Sequence, residues 1–368
     1  MTETMTVSML DCIKRVPERL DWILSNRERT FSALRGEAKA RVEKADEIVM
    51  IGSGTSNTSA LTARFAAEKG AKIRVTAILP TDFLYHMSVY NPNALYVFTS
   101  QTGTSAMVRV AIAKAKKIGG FTIAVSESAD TPAAKEADLF IDMGCGKEEY
   151  GMRTIGYSTS VLTLALLGME VGRIGGRLPQ AEFEEYLAQA RAAVAATPEI
   201  IRKAERWMDT DRRNMLRSDC LVFTGTGALA GVAMEAAVKV WETPQITALG
   251  CELEDGMHGP NYGYSQRHCV IVLNDGGVEN DKALALCRYM KGEMNNGFLI
   301  GANPVDEHDL AFDPAGGILS CLEFASAIQV VAYRLAVDQG RDLFHRSHGN
   351  MGKYFSSHRA LSPEELKL

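Results

Sequence analysis

One pattern occurs twice along this chain: a short apolar run, a glycine-rich turn and then a segment with helical periodicity. The first copy leads from residues 45–51 into Gly52-Ser53-Gly54-Thr55-Ser56, and the second leads from residues 220–224 into Gly225-Thr226-Gly227. Short apolar strands that alternate with helices are typical of parallel sheets covered on both faces. The fold class that we predict is therefore α/β, with two tandem domains, each a doubly wound, flavodoxin-like parallel sheet flanked by helices.

Length and turn signals set the predicted boundaries. The 368 residues exceed what one core usually holds, so two domains are expected. Two long helical patterns fill residues 157–207, with a turn signal at Gly175-Gly176. We predict an N-terminal helical segment at 1–45, a first domain at 46–178, a second domain with a preceding linker helix at 179–340, and a surface tail at 341–368.

Composition excludes several classes of protein. The net charge is −5, and no basic tract points to nucleic acid. The seven scattered cysteines form no C-x-x-C pair, which indicates a reducing compartment without a disulfide framework or a zinc site. The N-terminus is unlike a signal peptide, and no stretch approaches the roughly 18 apolar residues of a membrane span. We expect a cytoplasmic protein that needs no metal or cofactor and binds neither nucleic acid nor membrane.

Two hydroxyl-rich turns are candidates for an anion site. The turn Ser53-Gly54-Thr55-Ser56 would place free N–H groups of a helix N-terminus near a ligand, although an ordinary turn capped by Thr55 or Ser56 explains it equally well. Asn57 replaces the third glycine of a dinucleotide fingerprint. The turn Ser100-Gln101-Thr102-Gly103-Thr104-Ser105 is more specific, because one helix cap needs one hydroxyl and this turn has four. A phosphate accepts several such donors at once.

A cluster of acids and one histidine follows the second of the two helical copies. Glu242 ends the helical segment, and His258 lies 16 residues later in His258-Gly259-Pro260. Between them are Glu252, Glu254 and Asp255. A charge run is usually a solvated face and a lone histidine is usually structural. Carboxylates and an imidazole on neighbouring loop ends are nevertheless the groups that transfer protons in enzymes.

Taken together, these motifs resemble the tandem sugar isomerase (SIS) domain proteins. The shared pattern is a strand, G-T-S and a helix, then S-Q-T-G-T-S, then a glutamate followed sixteen residues later by H-G-P. The resemblance covers about residues 45–355. It is nearest to the fructoselysine- and glucoselysine-6-phosphate deglycases and to the isomerase half of glucosamine-6-phosphate synthase, whose glutaminase domain has no counterpart here.

The resemblance implies roles for individual residues. Glu242 corresponds to the catalytic base and His258 to the ring-opening histidine, which in this family comes from the neighbouring subunit and so implies a homodimer with shared sites. The residues that would bind the phosphorylated sugar are Ser53, Gly54, Thr55, Ser56, Ser100, Gln101, Thr102, Ser105, Thr154, Glu235 and Lys353. Thr154 replaces a serine of the family, and Gly156 replaces a lysine.

The resemblance leaves the reaction open. It favours a deglycase that converts a 6-phosphorylated Amadori product into glucose 6-phosphate and an amine or amino acid. An aldose–ketose isomerase or a glucosamine-6-phosphate deaminase would use the same Glu242 and His258. A phosphosugar-sensing module without activity is the alternative from another class, although residues 1–45 lack the helix-turn-helix motif of the DNA-binding segment that such sensors carry.

Overall fold

The computed structural model describes residues 7–344, 353–355, 359, 361–362 and 364–365. The helices are α1 (Met9–Thr30), α2 (Ser32–Arg35), α3 (Lys39–Lys44), α4 (Thr55–Ala71), α5 (Ala106–Lys117), α6 (Pro132–Glu136), α7 (Ile155–Ile174), α8 (Gln180–Arg217), α9 (Ala228–Glu242), α10 (Leu253–Gly256), α11 (Asn280–Gly292) and α12 (Cys321–Asp338). The strands are β1 (Glu47–Ile51), β2 (Arg74–Ile78), β3 (Ala94–Thr99), β4 (Phe121–Ser126), β5 (Leu139–Asp142), β6 (Cys220–Gly225), β7 (Thr247–Glu252), β8 (His268–Asn274), β9 (Gly297–Gly301) and β10 (Leu310–Ala311). Short turns of other helix types lie at Asp82–His86, Pro260–Gly263 and Gly317–Leu319.

The first sheet is parallel and has the strand order β2-β1-β3-β4-β5. β2 lies on one side of β1, and β3, β4 and β5 lie on the other. The direction in which successive strands are added to the sheet therefore reverses between β1 and β3. In open parallel sheets, ligands bind at such a reversal, just beyond the carboxyl ends of the strands. β3 is wholly buried, as its unbroken apolar sequence requires.

The second sheet repeats this topology. Its order is β10-β9-β8-β6-β7. β6 lies between β7 and β8, just as β1 lies between β2 and β3 in the first sheet. The predicted α/β class with parallel sheets and flanking helices is confirmed, and each sheet has five strands. Four elements of the structure, α6, α10, α11 and β10, were not predicted from the sequence.

The described residues form two compact units, each assembled from separate stretches of the chain. The first-sheet unit contains Arg19–Glu148, Thr159–Leu187 and the described part of Arg346–Leu368. The second-sheet unit contains Glu149–Ser158 together with the described parts of Met1–Glu18 and Ala188–His345. Each of the four predicted segments is continuous in sequence, whereas each unit combines separate stretches of the chain. Much of the predicted tail at 341–368 lies outside the described residues.

The expectation that no segment is apolar enough to cross a membrane needs correction. Ile155–Ile174 and Gly317–Asp338 have the required length and hydropathy. The apolar window is 100% buried in the first and 83% buried in the second. Such burial is typical of the core helices of a soluble fold, because a membrane span would present its apolar side chains to lipid.

Candidate active site

The turn after β1 is shaped by Gly54. Its φ of 58° lies in the left-handed region, where a residue with a side chain would be strained. Gly54 is the N-cap of α4 and, as a glycine, has no side chain with which to cap it. The alternative in which Thr55 or Ser56 caps the helix is therefore wrong. Ser53 and Gly54 are exposed at this helix N-terminus, the kind of place where backbone N–H groups bind anions.

The turn after β3 is held to its surroundings by backbone hydrogen bonds. The Ser100 amide donates to the carbonyl of Val125 at 3.1 Å, and the carbonyl of Gln101 accepts from the Glu127 amide at 2.9 Å. Gly103 has a φ of 64°, and a Cβ there would lie 2.5 Å from the Cβ of Thr131. This close approach fixes the turn against the segment before α6, so its polar groups are pre-positioned.

Most of the polar side chains of this turn are partly accessible. Ser105 is the N-cap of α5 but makes no side-chain capping hydrogen bond. The hydroxyl oxygens of Thr102 and Thr104 lie 2.8 Å apart, and Gln101 Nε2 donates to Glu148 Oε2 at 3.2 Å. A capping role therefore does not account for the hydroxyl of Ser105.

The register of the first sheet brings the two turns to one edge. Ile51 at the end of β1 is paired with Phe98 on the adjacent strand β3, and the two turns follow these positions. The predicted hydroxyl-rich turns are thus neighbours at the winding reversal, on one unit. An anion placed there would face two helix N-termini and several hydroxyl donors.

In the second-sheet unit, α9 carries a line of three charged side chains. Lys239 Nζ lies 3.3 Å from Glu235 Oε1 and 2.5 Å from Glu242 Oε2. The side chains of Glu235 and Lys239 are fully buried, whereas that of Glu242 is 38% exposed. Burial by itself would lower the pKa of Lys239, but the two carboxylates outweigh it and raise that pKa. The lysine is therefore charged and holds Glu242 at the surface of the unit.

Tyr150 is a buried neighbour of this line. Its side chain is fully buried, and among the described residues its hydroxyl has no hydrogen-bond partner. Burial and then the negative charge of Glu242 raise the pKa of Tyr150 to about 12, so the phenol is protonated at neutral pH. Thr154 is also buried, and its carbonyl accepts from Gln329 Nε2 at 3.1 Å.

His258 lies on an exposed turn after α10. Its Nδ1 is 2.9 Å from the carbonyl oxygen of Glu254 and 3.4 Å from Glu254 Oε1. In the tautomer that the carbonyl favours, Nδ1 carries the proton and Nε2 can accept one. The ring is 71% exposed, so a ligand or another subunit can reach it.

The acidic cluster before His258 is mostly structural. Glu252 is the N-cap of α10 and accepts from the Asp255 amide at 3.0 Å. Glu254 is paired with Lys282, and that hydrogen bond holds the pKa of Glu254 below its usual range. The positive charge of Lys282 reduces the repulsion between Glu254 and the neighbouring carboxylates.

A known protein family matches the part of the chain that contains the first sheet. Residues 42–169 match the family model described as the SIS domain. This part of the chain is therefore similar to the SIS domain. The matched range begins before β1 and extends into α7, so it includes both hydroxyl-rich turns. The resemblance inferred from the motifs is confirmed.

Relatives extend the similarity beyond the SIS domain. A glutamine–fructose-6-phosphate aminotransferase (isomerizing) of Bordetella parapertussis is 25% identical over 342 residues, 89% of this chain. The chain spans only 55% of that relative's length. The C-terminal domain of the Francisella tularensis aminotransferase has the same fold, with a TM-score of 0.82, 20% identity, and coverage of 93% of this chain and 99% of that one. A glucosamine-6-phosphate deaminase of Thermotoga maritima gives a TM-score of 0.73 at 20% identity, covering 92% of this chain and 96% of that one.

The predicted site residues are divided between the two units. The two hydroxyl-rich turns and Lys353 belong to the first-sheet unit, and Thr154, Glu235, Glu242 and His258 belong to the second-sheet unit. Lys353 is exposed, while residues 351–352 before it lie outside the described part of the chain. Lys239 and Tyr150 were not among the residues predicted from the sequence. The helical spacing Glu235, Lys239, Glu242 was the available signal for the lysine, because residues three and four apart share a helix face.

Proposed function

We propose that this protein is a phosphosugar-converting enzyme of the isomerase type that works by general acid–base catalysis. The observation that carries the proposal is the pairing of Glu242 with the buried Lys239 at the end of α9. A cation fully buried between two carboxylates is costly to build, and one of those carboxylates is left accessible. A binding module has no need of such an arrangement, whereas a proton-transferring enzyme needs a fixed, ionised base.

The proposal assigns the remaining residues to binding and ring opening. The turns at Ser53–Ser56 and Ser100–Ser105 would bind the phosphate through hydroxyl and backbone N–H donors. Thr154, Glu235 and Lys353 would act nearby, with Glu235 working through Lys239. His258 Nε2 would exchange a proton with the ring oxygen, opening the sugar to its carbonyl form.

As the specific reaction we propose deglycation of a 6-phosphorylated Amadori product. Glu242 removes a proton from C1, and the electron pair forms the C1–C2 double bond while O2 takes a proton, giving an enaminol. A proton returned to C2 gives an imine between C1 and the nitrogen. Water adds to that imine and the C1–N bond breaks, releasing glucose 6-phosphate and the amine. Each step is a proton transfer or an addition of water, so the overall reaction consumes one water molecule.

The second candidate reaction is simple aldose–ketose isomerisation. It is favoured by the name of the Bordetella parapertussis relative, an isomerizing aminotransferase. An isomerase would use the same Glu242 to move a proton between C1 and C2. Deamination of glucosamine 6-phosphate, the activity named for the Thermotoga maritima protein, is the third possibility within this chemistry.

Assembly and location form part of the same proposal. We propose two tandem SIS domains, of which the second is built on the second sheet with its repeated strand order. We also propose a cytoplasmic homodimer in which His258 serves the site of the partner subunit. The exposure of His258 supports this arrangement, since an exposed side chain can reach another subunit.

A substrate panel tests the proposed function. Purified protein is incubated with 6-phosphofructosyl amines, fructose 6-phosphate and glucosamine 6-phosphate, and glucose 6-phosphate, free amine and ammonia are measured separately. Deglycation predicts equal release of glucose 6-phosphate and amine from the first class. Conversion of fructose 6-phosphate alone would establish the isomerase, and ammonia release would establish the deaminase. Binding of these compounds without any turnover would refute the enzymatic proposal.

A further inference from the structure

A buried carboxylate lies directly beside the hydroxyl-rich turn that follows β3. Glu148 is buried, and its Oε2 accepts a hydrogen bond from Gln101 Nε2 at 3.2 Å. Both residues belong to the first-sheet unit. A negative charge next to a site for an anion lowers the affinity for that anion, because like charges repel. The steps described above give this carboxylate no role, so its position needs another explanation.

The contact with Glu148 fixes the orientation of the Gln101 amide. A side-chain amide has two N–H donors on its nitrogen and an acceptor on its oxygen, and a rotation of the amide by a half turn exchanges them. An ionised carboxylate can only accept hydrogen bonds. The amide nitrogen of Gln101 therefore faces Glu148, because the opposite orientation would bring Gln101 Oε1 against the carboxylate oxygens.

The same contact leaves part of the Gln101 amide for a ligand. The side chain of Gln101 is half-buried, and within the described part of the chain its hydrogen bond to Glu148 is the only one that it makes. The second N–H of Nε2 is therefore still a donor. The backbone of Gln101 is also held, since its carbonyl accepts from the Glu127 amide at 2.9 Å. Gln101 thus has a fixed backbone and a fixed amide before a ligand arrives.

We propose that Glu148 is a positioning residue, which holds the Gln101 amide in the orientation whose free N–H donates to the phosphate of the substrate. This inference rests on the proposed function, in which the phosphate binds at this turn. A side chain that is already ordered loses less conformational freedom on binding, which raises affinity by about twofold to tenfold for one such side chain. Glu148 therefore strengthens phosphate binding through Gln101, although its charge alone would weaken it.

Binding measurements test the inference, because positioning and charge predict effects of opposite sign. Glucose 6-phosphate and inorganic phosphate are titrated into the protein in a calorimeter at one ionic strength. In Glu148→Gln the new amide can donate or accept, so it no longer selects one orientation of Gln101, and we expect the Kd to rise by about twofold to tenfold. Glu148→Asp keeps the charge but is too short to hold the amide, so we expect a similar rise. An effect of charge alone would make Glu148→Gln bind more tightly and leave Glu148→Asp unchanged.

A double-variant cycle tests whether Glu148 acts through Gln101. Gln101→Ala should raise the Kd by about tenfold to a hundredfold, the loss of a hydrogen bond to a charged group. Adding Glu148→Gln to Gln101→Ala should weaken binding no further, because the amide that Glu148 orients is already gone. For any phosphosugar that the wild type converts, Glu148→Gln should raise KM and leave kcat unchanged, since the phosphate is bound equally in the ground state and the transition state.

Glu127→Gln is the matched control. Its backbone amide contacts Gln101, but the Glu127 side chain does not hydrogen-bond the Gln101 amide in the described structure, so this variant should bind no more weakly than the wild type. Equal or tighter binding by Glu148→Gln, or further weakening in the double variant, would overturn the inference while the proposed function stands, because the substrate panel measures turnover independently. If the wild type binds neither compound and converts no member of that panel, the proposed function fails, and this inference fails with it.

Discussion

Lys239 Nζ lies 2.5 Å from Glu242 Oε2, so the accessible carboxylate at the end of α9 is held by a fully buried cation. The same nitrogen is 3.3 Å from the buried Glu235. Glu235 thus offsets the charge of the lysine inside the unit, and the lysine fixes the position of Glu242. The proposed base is therefore held in position before a substrate arrives, which is a condition for efficient proton transfer.

Replacing Lys239 tests this line of charges. Lys239→Met leaves Glu235 buried without its cation, so we expect the free energy of unfolding to fall by about 3–5 kcal/mol. The double variant Lys239→Met/Glu235→Gln should recover part of that loss, because the uncompensated charge is gone. Urea denaturation followed by circular dichroism measures both values. A stability unchanged within error for the single variant would show that the ion pair does not form.

The turn after β3 offers a test that separates binding from stability. Ser105 makes no capping hydrogen bond, so Ser105→Ala should leave the melting temperature unchanged while raising KM for the phosphorylated substrate. Thr131 is the matched control, because its hydroxyl accepts from the Ala134 amide as the N-cap of α6. Thr131→Ala should cost about 1 kcal/mol of stability. A destabilised Ser105→Ala with an unchanged KM would argue against a phosphate site here.

Subunit mixing tests whether sites are shared. Glu242→Gln and His258→Gln should each be inactive, but in a shared site their mixed dimers contain one intact set of residues. After dissociation and reassembly of equal amounts, activity should return to about a quarter of the wild-type value, since half of the dimers are mixed and each has one intact site of two. Activity that stays at the level of the parents would place Glu242 and His258 of one site on the same subunit.

Glu323 gives a prediction for pH. It is fully buried at the start of α12 and accepts from the amides of Ala315 and Gly316 at 3.0 and 2.9 Å. Burial outweighs these two hydrogen bonds and raises the pKa of Glu323 above its usual 4.5. At pH values between the pKa of Glu323 in the unfolded state and its pKa in the folded state, the folded state binds more protons than the unfolded state. The stability contributed by this group is therefore fully present below pH 4.5 and is lost as pH rises through the folded pKa.

Comparison with Glu323→Gln isolates this group from the other titrating residues. The difference in free energy of unfolding between the wild type and the variant should shift against the wild type as pH increases from 4.5. Urea midpoints measured at several pH values give that difference. A difference that is independent of pH would mean that Glu323 has the same pKa in both states.

The sequence predicted β1, β6 and the glycine-rich turns that follow them because these features depend on local patterns. Unbroken apolar runs such as β3 have few alternatives to a buried parallel strand. The amphipathic α11 was missed although its helical spacing is readable, and the π-helix at Asp82–His86 has no comparable local signal. Tyr150 could not be predicted, because its burial next to Glu242 depends on contacts between distant segments.

The most direct test of the account is the rate at which Glu242→Gln releases glucose 6-phosphate from 6-phosphofructosyl-glycine in D₂O. Glu199→Gln, which changes a surface carboxylate paired with Arg202 and Arg206, is the control. We predict that the wild type and Glu199→Gln form glucose 6-phosphate carrying deuterium at C2. We also predict that Glu242→Gln, with an unchanged fold, is slower by about 10²–10⁴-fold. Release by Glu242→Gln at the wild-type rate would contradict the assignment of Glu242 as the base.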